Sequence, residues 1–345
     1  MKILGSDKLE RMIRRLQKNL ASSKGLVLMY HRVAEVELDP WSLCVTHQNF
    51  AEQLEVLQKY YQPLSLKQFA QAHRDGKIPD RAVVVTFDDG YVDNLHYAKP
   101  ILERYSIPAT VFVSTGYIGK EREFWWDELE RLLLQPGTLP EKLSLNISGS
   151  LYHWELGQAA NYTQQDYQSD RICKPWEAKP GSRMSFYYSI WQVLLPLPEW
   201  ECIKALDELV VWANAESTVR KTHRSLLPEE VCALGQGKLV EIGAHTVTHP
   251  FLSAQSTELQ RREIQQSKAT LEEMLNRPVT SFSYPFGNYT TETAELARTV
   301  GFDCACTTIK DIVWQQSDSF QLPRFGIENC NGEEFAKELS RWFHG

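Results

Sequence analysis

Arg81-Ala82-Val83-Val84-Val85-Thr86-Phe87-Asp88-Asp89-Gly90 is the stretch on which the fold turns. Its unbroken apolar, β-branched run reads as a strand buried on both faces, the pattern of a parallel sheet covered by helices. The run ends in two adjacent carboxylates and a glycine, so the acids stand where a strand opens into a loop. Sites of α/β folds are built at such strand ends. A second apolar run, residues 239–244, leads into His245-Thr246-Val247-Thr248-His249, two imidazoles four residues apart. Two His nitrogens and one carboxylate oxygen are the usual ligands of a catalytic divalent metal that keeps a position open for water. One Asp would ligate and its neighbour would stay free as a base. Taken alone, an Asp-Asp-Gly is also a common solvated turn, and a His is often a core or surface group. The preceding strands and the spacing favour the pocket.

Outward from these segments the chain alternates. Residues 25–30 read as a strand ending at His31, followed by helical patterns at 49–60 and from Ser65. After strand 82–87 come a helix at 94–105 and a strand at 108–113. Later come strand 239–244, helix 256–275, strand 279–284, helix 291–300 and strand 304–308. This alternation indicates βαβ units and a parallel sheet, and six or seven units suit a closed or nearly closed barrel. Residues 119–227 break the rhythm with aromatic clusters (Phe124-Trp125-Trp126, Phe186 to Trp191), an alternating stretch at 143–147 and a polar stretch at 159–170. The expected organisation is an N-terminal amphipathic helix (1–24), a first barrel part (25–118), an insert beside or over the barrel mouth (119–227) and a second barrel part (228–345).

The 345 residues are 43% hydrophobic, enough for a substantial core, and the net charge of -7 leaves no basic footprint for nucleic acid. Seven scattered cysteines without a CxxC pair argue against a zinc knuckle or a disulfide framework. No stretch has the length of a signal peptide's apolar core or a membrane span, so a cytoplasmic location is the expectation. Leu9, Met12, Ile13, Leu16 and Leu20 alternate with basic residues. Such a helix can pack on the domain, or make peripheral membrane contact through residues 8–20.

Thr86-Phe87-Asp88-Asp89-Gly90 and His245-Thr246-Val247-Thr248-His249 resemble the first two motifs of the polysaccharide deacetylases, carbohydrate esterase family 4, and Ser283-Tyr284-Pro285-Phe286-Gly287 resembles the third. Met29 to Val33 and Ile107 to Phe112 are also typical, and the resemblance runs from about residue 26 to 327. It implies a distorted (β/α)7 barrel, with a large insert between the Asp-Asp and His-x-x-x-His motifs, and metal-dependent removal of an N-acetyl group, less often O-acetyl, from a sugar. Asp89, His245 and His249 would hold the metal. Zinc is the first expectation, and cobalt, nickel or iron suit the same donors. Asp88 would be the general base, and the backbone N–H of Phe286 would help hold the oxyanion.

Two features depart from the family pattern. The third-motif Arg that orients the base is missing, since Phe282-Ser283-Tyr284 stands there. Arg324 is a candidate substitute from a later strand, with a structural role as the alternative. The late motif supplying an acid His is also missing. In relatives with permuted motif order that His precedes the Asp-Asp motif, a place His31 fills here; a structural His31 is the alternative. Tyr91, Tyr284, Trp125 and Trp126 are candidates for sugar contact, or for the core. The expected substrate is an acetylated glycan or glycolipid precursor. The rivals are a hydrolase of a non-sugar amide or imide on the same scaffold, and a non-catalytic glycan-binding protein.

Overall fold

The computed structural model describes residues 23–216 and 218–344. Six strands form its centre: β1 (Lys24–Tyr30), β2 (Ala82–Phe87), β3 (Ala109–Val113), β4 (Val240–Ala244), β5 (Ser281–Ser283) and β6 (Cys304–Cys306). They lie side by side in the order of the chain and all run parallel. Every residue of β2, β3, β5 and β6 is buried, as continuous apolar runs between two covered faces require. Helices cover the crossovers: His47–Tyr60 and Leu66–Arg74 before β2, Lys99–Tyr105 before β3, Thr257–Leu275 before β5 and Thr291–Thr299 before β6. Four of these starts are capped, by Thr46, Ser65, Ser256 and Thr290, each side chain accepting a first-turn N–H.

The first half of β1 pairs antiparallel with Val313 and Trp314, and one short segment then joins the two edges of the sheet. Leu322 bridges Cys306 of β6 in parallel, and β7 (Phe325–Gly326) pairs in parallel with Leu28 and Met29 of β1. Residues 322–326 thereby supply the seventh parallel position and curl the sheet into the expected distorted (β/α)7 barrel. The strands end earlier than the apolar patterns suggested: β5 stops at Ser283, just before Pro285, which has no N–H for a ladder. The helix expected at 94–105 begins instead as a π-turn, Asn94–Ala98, in which the Lys99 N–H reaches back to the Asn94 carbonyl. Pro100, without an N–H, cannot make the α-type bond that would continue a regular helix through this point.

The segment 119–227 folds around a second hydrophobic cluster, apart from that of the barrel. Leu129 and Leu133 of helix Trp125–Leu133, Tyr187 and Ile190 of helix Arg183–Leu194, and Leu206 and Leu209 of helix Glu199–Trp212 meet there. The alternation at 143–147 becomes one strand of an antiparallel hairpin, Lys142–Ile147 with Ser150–Glu155, burying Leu143, Leu145 and Ile147. The polar stretch contains a further helix, Gln164–Asp170, started by a Thr163–Asp166 capping box. Buried Arg183 pins the cluster by donating to the carbonyls of Leu133, Ala159 and Ala160. The segment then returns to the barrel beside the Asp-Asp loop, where Leu226 N–H donates to the Gly90 carbonyl at 3.1 Å.

All seven cysteines are free thiols, four of them buried. Among the described residues no helix is long and apolar enough to cross a membrane. The amphipathic pattern of residues 8–20 and its membrane contact lie outside the described residues.

Gly243 in β4 leaves no room for a side chain, since an added Cβ would come within 2.4 Å of the Phe112 ring and 2.8 Å of Ser281 Oγ. Gly243→Ala should therefore lower stability by about 1–3 kcal/mol through overpacking, read as a fall in the urea midpoint at unchanged m-value.

Candidate active site

The strand registers bring the functional segments to one rim. One step beyond the strands, Asp88 N–H donates to the Tyr30 carbonyl, His245 N–H to that of Val113, and Tyr284 N–H to that of Cys306, all at 3.0–3.1 Å. Past that row the backbone turns sharply: Asp89 has φ +75° and Gly90 φ +83°. A left-handed non-glycine residue costs about 1–2 kcal/mol, and the turn sends the two neighbouring carboxylates to different partners.

Asp89 goes to the histidines. Its Oδ1 is 3.5 Å from His245 Nε2 and 3.3 Å from His249 Nε2, and the two ring nitrogens are 3.2 Å apart. Ligands about 2.0–2.1 Å from a tetrahedral zinc-like ion stand about 3.3–3.4 Å from one another, so this triangle fits one face of such an ion and leaves a fourth position open. His245 Nδ1 lies 2.7 Å from the Ser283 carbonyl. Only an N–H can satisfy that contact, which leaves the Nε2 lone pair of neutral His245 for a cation. The histidine loop is itself tightly wound: Thr246 (φ +65°) and His249 (φ +56°) are left-handed, and Thr246 Oγ1 accepts the His249 N–H at 3.1 Å. In a second cluster, Asp127, Glu130 and His223, protein donors already serve both carboxylates, the Tyr91 hydroxyl donating to Asp127 Oδ2 at 2.6 Å and Arg220 to Glu130. Arg220 donates to Glu130 Oε2 at 2.9 Å and to the Asp127 carbonyl at 2.8 Å.

Asp88 goes to Arg324. The guanidinium spans both carboxylate oxygens, Nη1 to Oδ1 at 2.7 Å and Nη2 to Oδ2 at 2.6 Å. Its remaining N–H groups reach Thr86 Oγ1, Ser283 Oγ and the Thr307 carbonyl, so all five donors have acceptors. Burial pushes the Asp88 carboxyl up, but Arg324, aided by the neighbouring imidazoles, holds the group below the usual carboxylate range. Asp89 is likewise held low, the two imidazoles against its carboxylate outweighing burial.

A cavity opens over these groups, walled by His31, Trp41, Leu43, Trp126, Trp191, Phe286 and Thr308. Phe286 sits in a turn with φ +56°, and its ring centroid is 4.5 Å from that of His249. The structure keeps Gly287 beside it glycine: φ is +65° and a Cβ would meet Thr308 Oγ1 at 2.0 Å. Of the aromatics expected at the sugar, Trp126 lines the cavity. Tyr91 and Tyr284 do not, and this corrects the sequence reading. Tyr91 is fully buried, its ring under the Arg32 guanidinium and its hydroxyl bridging Trp126 Nε1 and Asp127 Oδ2. Tyr284 is fully buried between Phe282 and Tyr289 and donates to the Phe320 carbonyl. Trp125 lies one layer back, packed on Trp126 and Trp191 and lining a separate small hollow. The hydroxyls of both tyrosines are held by partners at least 35 positions away, which no local pattern announces. Trp41 and Trp191 were not singled out from the sequence. Their rings lie 4.3 Å apart, and Trp41 Nε1 donates to Tyr187 Oη.

The family model for polysaccharide deacetylases matches residues 75–138 and 209–305, passing over most of the insert. The poly-β-1,6-N-acetyl-D-glucosamine N-deacetylase of Staphylococcus aureus is 33% identical over 114 residues, which is 29% of this chain and 39% of that protein. The chain thus spans about two fifths of the length of that relative. Among solved structures, the Streptococcus pyogenes deacetylase PplD in complex with acetate matches with a TM-score of 0.56 at 20% identity, covering 92% of this chain and 98% of that one. IcaB from Ammonifex degensii matches with a TM-score of 0.55 at 18% identity, covering 94% and 99%. At such identities the structural likeness is one of fold.

Arg324→Met should leave Asp88 buried without its counter-charge, at a cost of about 3–5 kcal/mol in chemical denaturation. In the native protein the Asp88 contribution is present above the unfolded carboxylate pKa and is lost as pH falls through the lower folded value. In the variant burial acts unopposed by Arg324, so the Asp88 carboxyl should titrate above the usual range by carbon-13 NMR.

Proposed function

We propose that this chain is a polysaccharide deacetylase, as the family match and the motif geometry support, and that it hydrolyses the N-acetyl group of a sugar in an acetylated glycan or glycolipid precursor. The observation that carries this reading is the division of labour between adjacent carboxylates. Asp89 joins two imidazole nitrogens in a three-donor face, while Asp88, next to it, stays out of that face and is kept ionised by Arg324. A binding protein has no use for a buried carboxylate held unprotonated beside a metal face.

Asp89, His245 and His249 would hold a divalent ion, with zinc first among the candidates. Such an ion supplies Lewis acidity and a more acidic water. Each Asp88 oxygen has two lone pairs; one goes to Arg324, and another can take the proton of the attacking water. Because Arg324 clamps both oxygens, the carboxylate cannot rotate away from the cavity. The acetyl carbonyl would lie against the Phe286 turn, whose backbone N–H is the candidate donor to the developing oxyanion. His31 lines the same cavity as Asp88 and Asp89 and is the candidate to protonate the departing amine. Apart from these groups the wall is Trp41, Leu43, Trp126, Trp191 and Thr308. It offers apolar faces and one hydroxyl, suited to stacking on a neutral pyranoside rather than to pairing with a charged one.

Acetate release from β-1,6-linked N-acetylglucosamine oligomers should stop on chelation and return with added zinc or cobalt. Asp88→Asn should keep the bound ion yet lose about 10²–10⁴ in kcat, and His31→Ala should flatten the alkaline limb of the rate profile. An Asp88→Asn protein with full turnover would end the base assignment. Trp191→Ala should raise KM several-fold with kcat little changed, the pattern of lost uniform binding.

A further inference from the structure

Both imidazoles of the proposed metal face belong to one five-residue loop, and that loop is clamped from two sides. On one side the segment after β3 takes its carbonyls: Thr115 N–H donates to the Thr246 carbonyl at 3.1 Å and Gly116 N–H to that of Val247 at 2.7 Å. On the other side stands Glu263 of helix Thr257–Leu275, 4% exposed. Its Oε2 accepts the N–H groups of Val247 and Thr248, each at 2.8 Å, and its Oε1 accepts the Thr248 hydroxyl at 2.8 Å. Among the described residues Glu263 makes no ion pair. Burial pushes its carboxyl pKa up, and the loop donors pull it back only in part.

A buried carboxylate without a cation costs several kcal/mol unless hydrogen-bond donors compensate it, and an apolar residue would pack a helix onto the barrel with no such penalty. The three donors all lie between the two histidines. Thr246 and His249 are left-handed on either side of them, a shape that persists only when its surroundings over-determine it. We infer that Glu263 is a positioning residue for the metal face, fixing the His245 and His249 ring nitrogens through the backbone between them. This rests on the metal reading proposed above.

The test loads Glu263→Gln with cobalt(II) and compares its affinity, by competition with a chromophoric chelator, and its visible ligand-field spectrum with those of the unaltered protein. The Gln amide offers one acceptor oxygen and turns N–H against the other donors. Affinity should fall about 10–100-fold, the usual effect of losing a group that orients a ligand, and the spectrum should change. Leu271→Ala loosens the same helix from the barrel core without touching the loop; it should lower the melting temperature yet keep affinity and spectrum. Wild-type affinity and spectrum in Glu263→Gln would overturn the inference, as would an equal loss in Leu271→Ala. Should Glu263→Gln fail to fold, Thr248→Val removes only the Oε1 bond and should shift affinity in the same direction, no shift overturning the inference. An unaltered protein that binds no stoichiometric cobalt would instead refute the metal reading itself, and this inference with it.

Discussion

The contact on which the rest of the structure depends is the buried pair of Asp88 and Arg324. Arg324 arrives on the short segment that closes the barrel, with Leu322 against β6 and Phe325 against β1. Its five donors then tie the ends of β2 and β5, the residue after β6 and the Asp88 carboxylate to one guanidinium. A buried ion pair is a poor source of stability, since desolvation offsets much of the attraction. Its value here is geometric and electrostatic: closure of the sheet, alignment of the rim and ionisation of Asp88 become one condition.

The same rim concentrates backbone strain. Asp89, Thr246, His249 and Phe286 all have positive φ, and each lies at the proposed metal face or on the wall beside it. Extended strands ending at a common level would send their next side chains along diverging directions; left-handed residues turn Asp89 and His249 back toward His245. Such conformations hold only against firm supports, and the supports are visible: Ser283 on His245, Thr246 on the His249 N–H, Glu263 on the loop between.

The groups proposed for chemistry and those proposed for selection come from different parts of the chain. The barrel supplies Asp88, Asp89, His245, His249 and Arg324. The insert supplies Trp126 and Trp191, and the loop after β1 adds Trp41, hydrogen-bonded across to Tyr187. Because the insert has its own hydrophobic cluster, its surface can change without disturbing the strand ends. The family match passes over residues 139–208, including Trp191, but takes in Trp126.

By itself the sequence determined the strands and the two motifs that follow them, because burial of a parallel sheet writes a continuous apolar run, and the residue after such a run stands at the rim. The proposed metal triad and the separate Asp88 beside it were legible for that reason, as was the interruption at 119–227. Only the tertiary structure decided between a merely structural Arg324 and one that pairs with Asp88. Their contact crosses 236 positions and depends on closure by a segment of a few residues, for which no periodicity exists. It also decided that Tyr91 and Tyr284 are core while Trp41 and Trp191 form wall, and that Glu263 serves the histidine loop. An aromatic or an acid on a helix carries the same local signal whatever it faces. What it faces is fixed when distant segments pack, and in this protein that packing is the closing of the barrel and the docking of the insert against its mouth.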